Sequence, residues 1–199
     1  MSILSIVNEV ADVTSLSRFD SVYGSDDPNA AAMLALAKEG GEEISRRADW
    51  RDMLKEFTAV LSPTELPEDF QRLIPGGAVR SAAGVFFRPV SNGSQWTVVK
   101  QIPSAQAYFF LIGSQMQFHP QAAGENALID YVAVNWIKTD GGEEVSDWTS
   151  DDDTPLFPER LLEKNLLWRW RRKNGLDFAD QLAEFEADLN AEIKANRGV

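Results

Sequence analysis

Residues 156–189 read LFPERLLEKNLLWRWRRKNGLDFADQLAEFEADL and predict two helices separated by a short turn. In the first half, apolar residues fall on more than one face of the predicted helix, which is typical of a helix buried between others. Asn174-Gly175 ends this helix, and Asp177 is placed to cap the next one. The second helix carries one apolar stripe, which consists of Phe178, Leu182, Phe185, Leu189 and Ile193.

Two further helices are predicted near the N-terminus. The segment 3–13 has apolar residues at helical spacing. Asp27 followed by Pro28 is the arrangement expected at a helix start, and periodic apolar residues follow it. Gly40 and Gly41 then fall in the middle of this helix, where each glycine costs about 1 kcal/mol relative to alanine. Such a pair predicts either close approach of a neighbour or a break into two helices.

Short strands are predicted between Val79 and about Trp148, where segments rich in aromatic and β-branched residues are separated by turn-forming pairs. The strand segments are GVFFRPV, QWTVVKQI, AYFFLIG, QMQFHP and LIDYVAVNWI. The turn pairs are Asn92-Gly93, Pro103-Ser104, Gly113-Ser114, Ala123-Gly124 and Gly141-Gly142. Residues 112–116 in particular predict a tight hairpin.

The predicted fold class is therefore α+β. Helices from the N- and C-terminal parts form a bundle, into which an antiparallel β-sandwich or small barrel is inserted. We expect a helical part over residues 1–54, a β-rich insertion over 55–153, and C-terminal helices over 154–199 that pack on the first part.

Composition excludes several classes of protein. The chain of 199 residues has no cysteine and one histidine, which excludes a disulfide framework, a thiolate nucleophile and any zinc site built from cysteine and histidine. The longest apolar runs are too short to cross a bilayer, so no membrane association is expected. The N-terminus has no basic residue before its apolar stretch, and we expect no secretion signal and a cytoplasmic site of synthesis.

Charge is distributed unevenly along the chain, which has a net charge of −12. No Asp or Glu lies between Phe70 and Gly124, whereas seven acids and no base lie between Asp140 and Asp153. Such a charge-poor segment suits either a subunit interface or a β-rich core with uncharged turns. A strongly acidic chain is a poor general binder of nucleic acid.

Motifs for catalysis or cofactor binding are absent from the sequence. Gly76-Gly77 and Gly84 do not form a phosphate-binding loop, and no serine lies in a GxSxG motif. The run Asp151–Asp153 lacks the alternating ligands of a calcium loop, and we interpret it as acids that favour the N-terminus of the following helix. His119 has no partner indicated by spacing. We predict that the protein is not an enzyme and has no cofactor and no metal.

Basic and aromatic residues alternate near the end of the first C-terminal helix, from Trp168 to Lys173. This pattern suits a nucleic-acid element, but it also suits basic side chains that flank core tryptophans or pair with acidic segments. We favour the structural interpretation.

The C-terminal stretch resembles the closing helices of tailed-bacteriophage head-to-tail adaptor proteins, including the group similar to tail tubular protein A of short-tailed phages. The matching positions are Pro158, Glu159, Leu161, Leu162, Trp168, Trp170, Lys173, Gly175, Leu176 and Asp177. Three other segments fit as well, namely LALAKEGGEEISRRADW, LPEDFQRLIPG, and VAVNWI before the acidic stretch. The resemblance covers the chain from about Met33 to Leu189.

The resemblance implies a non-enzymatic neck protein. In that family, copies form a ring, usually dodecameric, which lies under the portal protein and extends the DNA channel towards the tail. The implied partners are other copies, the portal protein and a tail or nozzle protein, while double-stranded DNA passes through the lumen without specific binding. The implied location is the neck of the virion, after assembly in the bacterial host cytoplasm.

Two sets of residues are candidate contact sites. The first, for assembly and portal binding, consists of Trp168, Trp170, Arg171, Arg172, Lys173, Phe178, Leu182, Phe185, Leu189 and Ile193. The second, for contacts with neighbouring subunits or the tail, consists of Arg80, Arg88, Lys100, Asp151, Asp152 and Asp153. Segregated acidic and basic segments suit an interface in which one patch meets a different patch on the next subunit.

A second hypothesis is a soluble module whose β insertion binds a small molecule or carbohydrate. It depends on Trp96, Trp136 and Trp148 being exposed, since exposed aromatic side chains serve such recognition. In a chain of this composition, such residues are more often part of the core.

Overall fold

The computed structural model describes residues 1–61, 63–103, 106–120 and 125–198. The chain divides into two compact units. The helical unit consists of residues 1–53 and 134–199, and the β unit consists of residues 54–133. The second division therefore falls at residue 133 and not at the expected residue 153.

The fold contains both helices and antiparallel sheets. The helices are α1 (Ile3–Val13), α2 (Pro28–Arg47), α3 (Gly93–Gln101), α4 (Glu159–Lys173) and α5 (Ala179–Arg197), with a 3-10 helix at Arg51–Met53. The strands are β1 (Leu54–Val60), β2 (Thr64–Glu65), β3 (Phe70–Leu73), β4 (Val79–Ser81), β5 (Arg88–Pro89), β6 (Tyr108–Ile112), β7 (Gln115–His119), β8 (Asn126–Ala133), β9 (Ile137–Lys138), β10 (Glu144–Val145) and β11 (Thr154–Pro155).

Both N-terminal helices begin where the sequence predicts. The Ser2 hydroxyl accepts a hydrogen bond from the Ser5 N–H at the start of α1. The Asp27 carboxylate caps α2 by accepting from the N–H groups of Asn29, at 2.7 Å, and Ala30, at 3.3 Å. These caps satisfy donors that the first turn of a helix leaves unpaired.

The glycine pair lies where neighbours press closely against α2. A Cβ atom at Gly40 would lie 2.3 Å from Asn165 Oδ1 on α4, and one at Gly41 would lie 2.1 Å from the ring of Trp136. The helix continues unbroken through both glycines. The prediction of close approach is confirmed, because no side chain fits at either position.

The helical unit also contains a small three-stranded antiparallel sheet, in the order β10-β9-β11. Trp136, which precedes β9, packs edge-to-face against Trp148 with ring centroids 5.1 Å apart and stacks on Phe157 at 5.8 Å. This aromatic cluster and the β9–β11 pairing explain why residues 134–153 group with the helices.

The β unit contains two four-stranded sheets. In the first, β8 is central, with β1 on one side and β3 and β4 on the other. The second has the order β2-β7-β6-β5 and is antiparallel except for the parallel β5–β6 pair. The buried core of this unit includes Phe87, Phe109, Met116, Phe118 and Ile129. Neither sheet closes into a barrel over the described ranges, so the barrel alternative is wrong.

The strand predicted within QWTVVKQI is wrong, because these residues form α3. Asn92 is not part of a hairpin turn, since its side chain accepts a hydrogen bond from the Gln95 N–H and caps the helix. The predicted strand GVFFRPV is also shorter than expected, being reduced to Arg88–Pro89.

The other turn predictions have mixed outcomes. The hairpin between β6 and β7 is confirmed, with Ile112 opposite Gln115 and Gly113 at a φ of 59°. Gly141-Gly142 turns the chain between β9 and β10, as predicted. The predicted turns at Pro103-Ser104 and Ala123-Gly124 involve positions outside the described residues.

The turn between α4 and α5 follows the prediction with one shift. Helix α4 ends before Asn174, and Gly175 has a φ of 69°, as a helix stop requires. Helix α5 begins with Phe178 in the N-cap position, so the prediction that Asp177 is the cap is wrong by one residue. The Asp177 carboxylate still accepts a hydrogen bond from the Ala179 N–H at 3.1 Å.

Candidate assembly surfaces

The two tryptophans near the end of α4 belong to the interior of the helical unit. Trp168 and Trp170 are each only 6% exposed. Trp168 packs against Phe178, with ring centroids 6.2 Å apart, and Lys173 lies over the Trp170 ring at 5.4 Å. These tryptophans fix the position of the end of α4, and their side chains expose little surface that a partner could contact.

Arg169 ties α4 to α2. Its side chain is 10% exposed, and its guanidinium forms ion pairs with Glu39 and, at 2.7 Å, with Glu43. Its Nε donates to Asn165 Oδ1 at 2.6 Å. This network agrees with the structural interpretation of the basic cluster, because burying a guanidinium is tolerated only when it is paired.

Arg172 and Lys173 are exposed at the C-terminal end of α4. Arg171 is half-buried and donates from Nε to the Asp177 carbonyl at 2.5 Å, across the α4–α5 turn. Cations in a last helical turn are favoured by the helix dipole. Of the basic cluster at the end of α4, Arg172 and Lys173 are therefore the residues available to a partner.

The apolar stripe of α5 faces inward. Phe185 and Leu189 have no exposed surface, while Phe178, Leu182 and Ile193 are half-buried. The stripe thus packs α5 onto the rest of the helical unit.

Ion pairs also join α4 and α5. Lys164 pairs with Glu184 and, at 2.6 Å, with Asp188, while Arg160 lies 3.2 Å from Asp188. Pairing with Lys164 lowers the pKa of Asp188. Burial works against the charged form of Lys164, but hydrogen bonding to Asp188 and Glu184 outweighs it and raises the pKa of the ammonium group.

The acidic loop before β11 supports α1 and does not cap α4. Its main-chain carbonyls at Asp153 and Asp151 accept from the N–H groups of Ile3, at 2.8 Å, and Leu4, at 3.2 Å. The Asp151 carboxylate accepts from the N–H groups of Val22 and Tyr23, at 2.9 and 2.8 Å. The interpretation that these acids favour a following helix is wrong, since they serve α1 and the segment after it.

Asp153 is fully buried, and its carboxylate accepts four hydrogen bonds from Thr149 and Ser150 at 2.5 to 3.0 Å. Burial alone would raise the pKa of Asp153, but these donors outweigh burial and lower it. A buried, fully bonded carboxylate offers nothing to a neighbouring subunit. Of the three predicted acidic contact residues, only Asp152 is exposed.

The three basic residues of the β unit that were predicted as contact residues differ in whether a partner can reach them. Arg80 bridges Asp130 and Glu56 within the first sheet. Arg88 and Lys100 are exposed, and neither forms an ion pair with any described residue. Arg88 and Lys100 thus remain available as contact residues.

The exposed surface around α3 was missed by sequence analysis. Trp96 is the buried residue of this helix, with its indole donating to Gln117 Oε1 at 2.8 Å and stacking on Phe110. Val98 and Ile102 are 55% and 51% exposed. The signal that points to this surface is the lack of acids from residue 71 to 123, because an interface centre is depleted of charge.

The tryptophans required by the ligand-binding hypothesis are not exposed. Trp96, Trp136 and Trp148 are 4%, 2% and 4% exposed, so they form cores and no aromatic platform. This version of the alternative is wrong.

The described residues bring together no group of three or more His, Asp or Glu side chains that could hold a metal ion. None of the described helices combines the length and the apolar character needed to span a membrane.

The helical unit thus exposes cations at the end of α4, and the β unit exposes apolar side chains and cations beside α3. Comparison with protein-family models gives a match to the family described as SU10 adaptor protein over residues 1–198. The chain therefore belongs to the SU10 adaptor protein family, a family of structural phage proteins, which agrees with the resemblance to head-to-tail adaptors. A search of curated proteins found no match.

Membership in an adaptor family makes the chain a structural component of the virion that interacts with other head or tail proteins. The likeness to tail tubular protein A in particular stays a prediction.

Proposed function

We propose that this protein forms the ring that joins the portal to the tail and continues the channel for the viral DNA. The observation that carries the proposal is the family match, which extends over residues 1–198 and so includes both units. In this role the packed helices α1, α2, α4 and α5 act as the predicted bundle, and the β unit is its insertion. The protein performs no chemical step.

The proposed partners are further copies of the chain, the portal protein, and a tail or nozzle protein. The resemblance implies that the copies form a dodecameric ring. A net charge of −12 suits the wall of a channel through which DNA must pass without being held, since phosphates are repelled by an acidic surface. Assembly takes place in the host cytoplasm, and the mature location is the neck of the virion.

We place portal binding at the exposed end of α4. Arg172 and Lys173 project from a helix end whose position is held by the buried Trp168 and Trp170. A rigid support lowers the entropy lost on binding, and exposed cations steer an acidic partner into register. Substitutions of Trp168 or Phe185 do not test this surface, because both side chains are buried and their loss damages the helix packing itself.

The test is to mix the purified protein with the portal ring of the same phage and examine the mixture by negative-stain electron microscopy. An added ring coaxial with the portal supports the proposal. Bare portals beside free protein, at concentrations well above micromolar, contradict it.

The binding surface is tested with Arg172→Glu/Lys173→Glu. The matched control is Arg46→Glu/Lys138→Glu, which reverses two exposed cations elsewhere on the helical unit. Loss of the added ring in the first variant and its retention in the control support the end of α4 as the docking site. Equal binding by both variants contradicts that placement.

A further inference from the structure

The surface around α3 is unusual for its apolar exposure. A groove of about 450 Å³ beside the helix is lined by Pro89, Val90, Val98, Val99 and Tyr108, among others. We call this groove and the exposed side of α3 the α3 face. Its Val98 is more than half exposed, as is Ile102, the residue that follows the helix. Apolar side chains gathered at one place on a surface mark a site of interaction.

Two exposed cations, which form no ion pair with a described residue, accompany the α3 face. Arg88 lies opposite Tyr108 in the β5–β6 pair, so it neighbours a residue of the groove, and Lys100 is in the last turn of α3. No Asp or Glu occurs from residue 71 to 123. A partner that fits this surface must therefore present an apolar side chain together with carboxylates.

The helical unit of the same chain offers such a segment. Residues 54–133 carry five bases and six acids, whereas the rest of the chain carries fourteen bases and twenty-five acids. Between α4 and α5, Leu176 is 51% exposed. Asp177 follows it and Asp180 lies in the first turn of α5, and both are exposed and in no ion pair with described residues. We call residues 176–180 the acidic turn.

We propose that the α3 face binds the acidic turn of a second copy of this chain, with Leu176 against the groove and Asp177 and Asp180 facing Arg88 and Lys100. Leu176 and Val98 are both exposed in the single chain, so each is open to another copy. The contact joins two different patches and therefore propagates from copy to copy, as a ring requires. This inference rests on the proposed function, since it supplies the contact between neighbouring adaptor subunits.

The absence of cysteine from the sequence allows a direct test by disulfide cross-linking. Val98→Cys and Leu176→Cys are made as separate, full-length variants, one of them carrying a tag that distinguishes it by mass. The two are mixed under mild oxidation, both free and bound to the portal ring. The control pair replaces Leu176→Cys with Val13→Cys, which is 65% exposed on the same unit.

We expect the mixed disulfide of the first pair to form at least about ten-fold faster than that of the control pair, because docking raises the effective concentration of the two thiols. Equal rates in the two pairs, free and on the portal, overturn the inference. Rapid homodimer formation by Val98→Cys alone also overturns it, since that result indicates a symmetric contact between two α3 faces.

A charge exchange tests the ionic part of the contact. Arg88→Glu/Lys100→Glu, added to Val98→Cys, is expected to remove the rate advantage. Asp177→Lys/Asp180→Lys, added to Leu176→Cys, is expected to restore it when paired with the first variant. Failure of the second exchange to restore cross-linking overturns the assigned partners.

The portal experiment separates this inference from the proposed function. A coaxial ring that forms without preferential cross-linking overturns the contact and leaves the function in place. Preferential cross-linking in free protein that adds no ring to the portal retains the contact and overturns the function.

Discussion

Gly41 lies so close to Trp136 that a Cβ atom on the glycine would lie 2.1 Å from the indole ring. The glycine is thus what lets the aromatic cluster of Trp136, Trp148 and Phe157 reach the backbone of α2. The intrinsic cost of glycine in a helix is about 1 kcal/mol relative to alanine, so the packing it permits must offset that cost.

We therefore expect Gly41→Ala to lower the free energy of unfolding by about 2 kcal/mol, because overpacking outweighs the gain in helix propensity. The matched control is Gly93→Ala in α3, where a Cβ atom meets nothing within 4 Å. The control is expected to be neutral or to stabilise by about 0.5 kcal/mol. Urea unfolding followed by tryptophan fluorescence measures both, and a Gly41→Ala variant as stable as the parent contradicts the expectation.

Asp153→Asn is expected to destabilise the protein by about 2 kcal/mol at pH 7, because a carboxylate that accepts four hydrogen bonds is replaced by a neutral amide. The folded-state pKa of Asp153 is lowered, so its contribution is present above the unfolded-state pKa of about 3.9 and is lost as pH falls through the folded-state value. Unfolding curves from pH 7 to 3 should show the parent and variant converging in acid. A difference independent of pH argues against this role.

Glu163→Gln is expected to raise the stability of the protein, whereas Asp153→Asn lowers it. Burial and then the negative charge of Glu9 raise the pKa of Glu163 in α4, so the charged form is disfavoured in the folded state. We expect the variant to be more stable than the parent by about 0.5 kcal/mol at pH 7, a small effect because the group is partly solvated. The advantage should disappear below the unfolded-state pKa of about 4.3, where the parent is protonated in both states. The exposed Glu143 provides a control, since Glu143→Gln changes a carboxylate at the surface, and the comparison fails if both variants behave alike.

Trp96→Ala is expected to release α3, since Trp96 is the buried residue of that helix. Backbone amides of residues 96–101 should lose most of their hydrogen-exchange protection, while those of α2 and α4 keep theirs. Removing a buried tryptophan also costs about 3 to 5 kcal/mol of stability in the β unit. Val98→Ala, which shortens an exposed side chain, should leave both measurements unchanged, and protection retained in Trp96→Ala contradicts the expectation.

The helices of the helical unit were predictable because their signals are local. Asp27 and the apolar periodicity mark α2, and the α4–α5 turn is marked by Gly175. Helix α3 was not predictable in this way, because Trp96, Thr97, Val98 and Val99 are residues that favour strands and only one of them is buried. Asn92 caps this helix, but asparagine is equally common in turns, so only the hydrogen bond from the Gln95 N–H identifies it as a cap.

For the candidate surfaces, only the charge and apolar content of each segment could be predicted from the sequence. The sequence indicates a charge-poor segment and a basic helix end, but burial decides which side chains remain available. Arg169 pairs with Glu43, which lies far away in the sequence, and Asp153 is buried with hydrogen bonds inside its own loop. Arg88 and Lys100, in contrast, are exposed. The placement of residues 134–153 depends on the pairing of β9 with β11, a contact across the acidic loop that no local pattern encodes.

The helical unit is built from two separated stretches of chain, and this has a consequence for the order of events at the ribosome. The N–H groups of Ile3 and Leu4 bond to the loop at Asp151–Asp153, and Gly40 and Gly41 are covered by Asn165 and Trp136. During translation the first two helices therefore emerge long before the residues that cover them, while the β unit is complete once residue 133 has left the exit tunnel. The apolar faces of α1 and α2 therefore stay uncovered while some eighty further residues are synthesised. A chaperone that binds apolar surface would have its largest target on the nascent chain during this interval.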